Sequence, residues 1–116
     1  MSETITVGKV IKQKFTNFVR FCETYLQMKE EDLSDLKKLE QLGPELLIAT
    51  LREVLIPCSK AIEAEDVELL ESQLAELVSD ERRRAALLLP LRAADHDQSI
   101  KLWRYLDCFL ELITQQ

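Results

Sequence analysis

The sequence places its only histidine between two aspartates, in the order Asp95, His96 and Asp97. Imidazole and carboxylate groups serve as metal ligands and as general acids or bases, so this triplet is the first candidate for chemistry. Adjacent residues rarely converge on one metal ion, however, and no second cluster in the sequence completes a ligand shell. We therefore interpret the triplet as a solvated loop with a helix cap, and we predict no metal site.

The serines and cysteines form no recognisable nucleophile motif with His96. A hydroxyl or thiol nucleophile needs a base within hydrogen-bonding distance, and Ser59, Ser99 and Cys108 lie in no sequence context that predicts such a pair. A small helical enzyme stays as an alternative if the fold gathers His96 with carboxylates from other helices. The sequence favours a protein that is not an enzyme, and it predicts no catalytic residue.

The three cysteines, Cys22, Cys58 and Cys108, are widely spaced, odd in number and set among apolar residues. No Cys-x-x-Cys pair or Cys/His spacing typical of zinc or iron–sulfur ligands occurs, and a disulfide framework is not expected. We interpret them as reduced thiols that pack as small hydrophobic side chains. The two glycines, Gly8 and Gly43, are too few for a GxGxxG or P-loop phosphate cradle. We therefore expect no cofactor and no small-molecule ligand.

Charge is distributed unevenly along this acidic chain, whose formal net charge is −6. Residues 4–22 include four basic side chains and no acid, whereas residues 63–81 include eight acids and no base. Nucleic-acid binding would need a broad basic surface with stacking aromatic side chains, and the low pI opposes it. The two regions could pair within the chain or with a partner. One alternative function is therefore an acidic inhibitor or mimic that binds a basic target through the 63–81 face.

The composition indicates a folded protein, with 47% hydrophobic and 31% charged residues. We expect one helical domain over residues 1–116, because this length supports a continuous core and because two glycines and three prolines are too few for an all-β fold. No apolar run approaches the roughly 18 residues of a spanning helix, and the N-terminus lacks the features of a secretion signal. We expect a soluble intracellular protein, cytoplasmic or nuclear, with no membrane span.

Apolar residues recur with the helical period, which predicts an all-α fold: a compact bundle of five to six helices, with long apolar first and last helices. The first helix, from Val7 to Met28, has one apolar half. Lys14 interrupts that half, and we expect its stem to be buried while its ammonium group reaches water.

The other predicted helices follow from caps and helix breakers. Gly43 is expected to end a short second helix in a left-handed conformation, and a kinked continuous helix is expected from Pro44 to about residue 63 with Pro57 inside it. A further helix runs from an Asp66 cap to Val78, and a short helix capped by Ser79 or Asp80 ends at Pro90. After a loop at 90–98, the last helix is capped by Asp97 or Ser99 and runs to about Thr114.

The last helix is predicted to be apolar around most of its circumference. Its apolar residues span about 220° of the helical wheel, against the roughly 100° that a one-sided surface helix needs. Only Arg104, Asp107, Glu111 and Thr114 form a polar strip. Such a helix must be covered on at least two sides, either by its own bundle or by another chain.

Protein interfaces are enriched in tryptophan, tyrosine and phenylalanine, and the last helix contains all three. We therefore hypothesise a non-enzymatic protein–protein interaction or structural module. It would self-associate, as a homodimer, through this helix with the first helix alongside it. The candidate interface residues are Leu102, Trp103, Tyr105, Phe109 and Leu112.

Overall fold

Seven α-helices and no strand make up the part of the chain that the structure describes. The computed structural model describes residues 2–79 and 81–114, with side chains for 7–79, 81, 84 and 86–114. The all-α prediction is confirmed, and the predicted count of five to six helices is too low. The helices are α1 (Ser2–Thr24), α2 (Glu30–Glu40), α3 (Pro44–Leu55), α4 (Ser59–Ala64), α5 (Val67–Leu77), α6 (Glu81–Ala93) and α7 (His96–Thr114).

The two longest helices, α1 and α7, pack against each other in antiparallel directions. The ring centres of Phe15 and Phe109 are 5.7 Å apart, and those of Phe18 and Tyr105 are 5.6 Å apart. Residue numbers therefore rise along α1 as they fall along α7. Buried residues from all seven helices join this aromatic group in one hydrophobic cluster, in which Phe15, Phe18 and Phe109 are among the largest fully buried side chains.

The apolar arc of α7 is covered by helices of the same chain. Helix α7 contacts α1, α3, α4 and α6. Trp103 is consequently only 4% exposed. The predicted polar strip is observed, because Arg104, Asp107, Glu111 and Thr114 are all exposed. The wide arc is therefore explained by burial on several sides within one chain.

The continuous helix predicted from residue 44 to about 63 is wrong, because a turn around Pro57 separates α3 from α4. The Cys58 and Ser59 amides donate to the carbonyls three residues earlier, those of Leu55 and Ile56, over 3.0 and 3.2 Å. Proline has no N–H for an α-helical bond, and its ring opposes the preceding turn. The apolar stripe keeps its phase across the turn: Leu55 and Cys58 are buried, and Pro57 faces solvent. This division accounts for the seventh helix.

The left-handed residue expected at Gly43 is not there. Gly43 has φ −63° and ψ 160° and precedes Pro44, which begins α3 as predicted. Left-handed φ angles occur instead at Gln27, 51°, and at Glu65, 53°. Gln27 reverses the chain after α1, which therefore ends at Thr24 and not at the predicted Met28.

Charged side chains from neighbouring helices cap the C-terminal ends of α2 and α5. Lys12 of α1 donates to the carbonyls of Glu40 and Leu42 at the end of α2. Arg84 of α6 donates to the Val78 carbonyl over 2.7 Å, at the end of α5. A cation at a helix C-terminus meets unpaired carbonyls and the negative end of the helix dipole. These caps therefore also tie α1 to α2 and α6 to α5.

The predicted cap of α5 is confirmed, and the predicted end of α6 is wrong. Asp66 accepts a hydrogen bond from the Leu69 amide over 3.1 Å and begins α5. Pro90 lies inside α6, which continues to Ala93, because the buried Leu88 and Leu91 hold this segment against the core on both sides of the proline. Of the two predicted caps of α6, Asp80 lies outside the described residues, and Ser79 is exposed before α6 begins at Glu81.

The loop predicted at 90–98 is reduced to residues 94 and 95, and α7 begins with His96. The cap of α7 is Asp95, not the predicted Asp97 or Ser99. Its carboxylate accepts from the Gln98 amide over 2.8 Å, and the Gln98 side-chain oxygen accepts from the Asp95 amide over 2.9 Å. This reciprocal pair is a capping box.

Candidate interaction surface

A shallow groove runs along the seam between α1 and α7. It encloses about 320 Å³ and is lined by Lys14 of α1 and by Lys101, Arg104, Tyr105 and Cys108 of α7. The α7 residues follow one another at intervals of three, one and three, which places them along one side of that helix. We call these five residues the α1–α7 groove.

The antiparallel packing of α1 and α7 positions both walls of the groove. The Lys101 ammonium lies 5.9 Å from the centre of the Phe21 ring, a cation–π arrangement that holds the lysine over α1. One turn before Lys101, the Gln98 side-chain amide donates to the Tyr25 carbonyl over 3.1 Å, which closes this end of the seam. The groove therefore lies between helices that are held together along their length.

Three cationic side chains converge on this groove. Lys14 is half-buried at the edge of the seam, as expected for a lysine whose stem is covered, and Arg104 and Lys101 are exposed. The ion pairs among described side chains involve Lys37, Lys38 and Arg92. The charged nitrogens of the three groove cations therefore have no described carboxylate oxygen within 4 Å. The groove is therefore a positive concavity on an acidic protein, which attracts anionic groups.

The two remaining lining residues provide a hydroxyl and a thiol. Tyr105 and Cys108 are both half-buried. Burial raises the pKa of the Tyr105 phenol, and the neighbouring Cys22 raises it further. The phenol therefore keeps its proton at neutral pH and can donate a hydrogen bond to a carboxylate in the groove.

Apolar surface extends the groove at the end opposite Gln98. Val10, which is 38% exposed, lies one turn before Lys14 on the same side of α1. Leu112 is half-buried and lies one turn after Cys108 on α7. Because the two helices are antiparallel, Val10 and Leu112 flank the same end of the groove.

The five residues predicted as an interface separate into two groups. Leu102, Trp103 and Phe109 are buried by the chain's own helices. Tyr105 and Leu112 keep part of their surface in the groove and beside it. An interface on the folded chain can therefore use Tyr105 and Leu112 directly, whereas the other three are not accessible to a partner.

The acidic region forms a second surface, on the outer side of α5. Helix α5 buries Leu70 and Leu74 toward α4 and α6. Its outer side exposes Glu68, Leu69 and Glu76, and no described cation lies within 4 Å of either carboxylate. We call these three residues the α5 face. On another side of the helix, Glu71 pairs with Arg92 of α6.

Comparison with protein-family models, with curated proteins and with solved structures finds no match to this chain. The sequence predicts Lys14 in the apolar half of the first helix and Arg104 in the polar strip of the last helix, and it does not predict that they are neighbours. The antiparallel register of α1 and α7 brings them together.

Of the candidate chemical residues, Cys108 lines the groove, whereas His96, Ser59 and Ser99 do not. His96 is exposed at the start of α7, where the Asp95 carboxylate is already bonded to the helix amide. Among the described residues, no group of three or more His, Cys, Asp and Glu side chains could hold a metal ion. No helix in the described ranges is both long and apolar enough to cross a membrane.

The buried cysteines are placed for packing. Cys22 and Cys58 lie in the core with no exposed surface. Burial raises the pKa of the Cys22 thiol to about 12 and that of the Cys58 thiol to about 11. Both thiols are therefore protonated at neutral pH and behave as small apolar side chains.

Proposed function

We propose that this protein is a non-enzymatic interaction module that associates with copies of itself through the α1–α7 groove and the apolar side chains beside it. The observation that carries the proposal is the position of Tyr105 and Arg104 on the exposed side of an otherwise buried helix. Tyrosine and arginine are the residue types most often found at the energetic centre of protein interfaces. Leu112 and Val10 add apolar area at one end.

The packing beneath the groove supports a binding role, because it fixes the groove before a partner arrives. Tyr105 lies against Phe18, and Phe109 lies against Phe15 and Phe18, with ring centres between 5.6 and 5.8 Å apart. A preformed surface loses less conformational entropy on binding than a mobile one. The aromatic layer therefore favours association through this side of the molecule.

Sedimentation velocity over a concentration range tests the proposal. We expect the sedimentation coefficient to rise with concentration and the Val10→Ser variant to associate about five-fold more weakly, since it loses exposed apolar area at the groove. Leu89→Ser is the matched control, because Leu89 is 37% exposed, close to the 38% of Val10, and lies on α6. A wild-type protein that stays monomeric up to about 1 mM, or an equal effect of Leu89→Ser, would contradict the proposal.

A second candidate function is that of an acidic inhibitor or mimic that binds a basic target protein through the α5 face. It is favoured by the exposure of Glu68 and Glu76, which have no described cationic partner. Exposed carboxylates remain available to a basic surface, and such binding weakens steeply with salt. Charge reversal at Glu68 and Glu76 would abolish it, whereas changes at the α1–α7 groove would not.

A further inference from the structure

The charge of the α1–α7 groove limits what can occupy it. In a symmetric dimer built on this groove, a two-fold axis would bring Lys14, Lys101 and Arg104 of one copy against the same residues of the other. Like charges placed together across an interface oppose association. An occupant that fits the groove must therefore carry acidic groups, and a second α1–α7 groove does not.

The chain itself provides an acidic surface of similar length. Glu68 and Glu76 are eight residues apart on α5, which separates them by about 12 Å along the helix. The groove runs from Lys101 to Cys108 along α7, a length of about 10 Å. Leu69, which is 37% exposed, follows Glu68 and lies on the same outer side of α5 as Glu76. An α5 helix laid along the groove would thus place its carboxylates near cations.

The α5 face cannot reach the groove of its own chain. Its glutamates point away from the α4 and α6 helices against which α5 packs, and both are exposed to solvent. The groove is formed by α1 and α7, and its cations have no described carboxylate within 4 Å. The two surfaces can therefore meet only between molecules.

We infer that the α1–α7 groove of one copy receives the α5 face of a second copy, so that the protein assembles head to tail. This inference rests on the proposed function and specifies its partner surface. A contact between two different surfaces leaves one of each kind free at the ends of the assembly. Assembly therefore continues beyond the homodimer expected from the sequence, into rings or open chains, and it weakens as salt screens the charges.

Charge reversal on each surface tests the inference. We expect Lys101→Glu with Arg104→Glu to weaken association about ten-fold or more, and Glu68→Lys with Glu76→Lys to do the same. An equimolar mixture of the two double variants should associate again, because each then meets a surface of opposite charge. Sedimentation velocity at low ionic strength measures all three samples.

The matched control for the groove variant is Arg52→Glu with Lys60→Glu, which reverses two exposed cations on α3 and α4 and produces the same change in net charge as Lys101→Glu with Arg104→Glu. This variant should associate like the wild type. Circular dichroism of every variant confirms that the helices are retained.

Two results would overturn the inference and can be told apart. In the first, the groove variant loses association, the Glu68→Lys with Glu76→Lys variant associates like the wild type, and mixing the two variants restores nothing further. The partner surface is then wrong and the proposed function stands. If the wild type does not associate at any concentration, the proposed function and this inference both fail.

Discussion

At the scale of single residues, burial divides the three cysteines into two kinds. Cys22 and Cys58 are enclosed in the core, and Cys108 is half-buried in the α1–α7 groove. The sequence predicted that all three pack as apolar side chains, because each has apolar neighbours. It did not predict that Cys108 would border a cationic groove, since this depends on Lys14 from a helix about ninety residues earlier.

Thiol labelling separates these cysteines. In the native protein at pH 8, a thiol reagent should modify Cys108 within minutes, and Cys22 and Cys58 should react only after denaturant is added. With a pKa of about 12, the Cys22 thiol is ionised at pH 8 in roughly one molecule in ten thousand, and the core also excludes the reagent. Mass spectrometry of the labelled peptides measures the order, and early labelling of Cys22 would contradict the packing described above.

The stability of the fold should decrease above about pH 9. In the unfolded chain the Cys22 thiol ionises near its ordinary pKa of 9.0, whereas burial raises the folded pKa to about 12. Between these values the unfolded state releases a proton that the folded state retains. The free energy of unfolding then falls by up to about 1.4 kcal/mol per pH unit for this thiol.

Urea titrations from pH 8 to 11 measure this decrease. Cys22→Ala is less stable at every pH because it leaves a small cavity. Its stability should nevertheless decline less steeply with pH, since the thiol is absent. An identical slope in the wild type and in Cys22→Ala would show that the thiol is not the cause.

At the scale of helices, the sequence predicts where apolar faces lie better than where helices end. The polar strip of α7 and the Asp66 cap of α5 are observed as predicted. The predictions for Gly43 and Pro90 are wrong, because they rest only on the intrinsic preference of glycine and proline for helix ends. The actual ends depend on long-range contacts, such as Lys12 of α1 at the end of α2. Such contacts are set by packing and cannot be inferred from local sequence.

The cap of α7 can be located by mutation. Asp95→Ala should lower the free energy of unfolding by about 1 kcal/mol, because it removes the acceptor for the Gln98 amide. Asp97→Ala is the matched control: Asp97 lies in the first turn without a described side-chain hydrogen bond, and its loss should change stability by about 0.3 kcal/mol. Chemical denaturation compares the two. A larger effect of Asp97→Ala would place the cap where the sequence first predicted it.

The contact between α1 and α3 depends on Gly8. A Cβ atom at this position would lie 2.9 Å from the Cβ of Pro44, so Gly8→Ala forces the two helices apart. We expect a loss of about 1 to 2 kcal/mol, because overpacking outweighs the higher helix propensity of alanine.

Gly43→Ser provides the contrast for this substitution. No atom lies within 4 Å of an added Cβ at Gly43, and the residue has N-cap geometry at the start of α3. Serine should therefore leave stability unchanged or raise it by a few tenths of a kcal/mol. Thermal denaturation of both variants tests the pair, and a stabilising Gly8→Ala would contradict the close approach of α1 and α3.

At the scale of the whole molecule, the sequence predicts that α7 must be covered on several sides but not which helices cover it. Its apolar residues require cover on several sides, and only the folded chain shows that α1, α3, α4 and α6 provide most of it. The surface that the chain leaves uncovered is the smaller one formed by Tyr105, Leu112 and the groove cations. The separation of this cationic groove from the acidic α5 face is likewise a property of the fold, because it depends on which helices are neighbours.

The most direct test of the account is the average molecular mass of the wild-type protein, measured by sedimentation equilibrium against concentration at low and at high salt. At about 50 mM salt we predict a mass that rises steadily past that of a dimer, and at about 500 mM a return toward the 13.4 kDa of one chain, because screening removes the attraction between groove and α5 face. A mass of 13.4 kDa at every concentration and both salt levels would contradict the account.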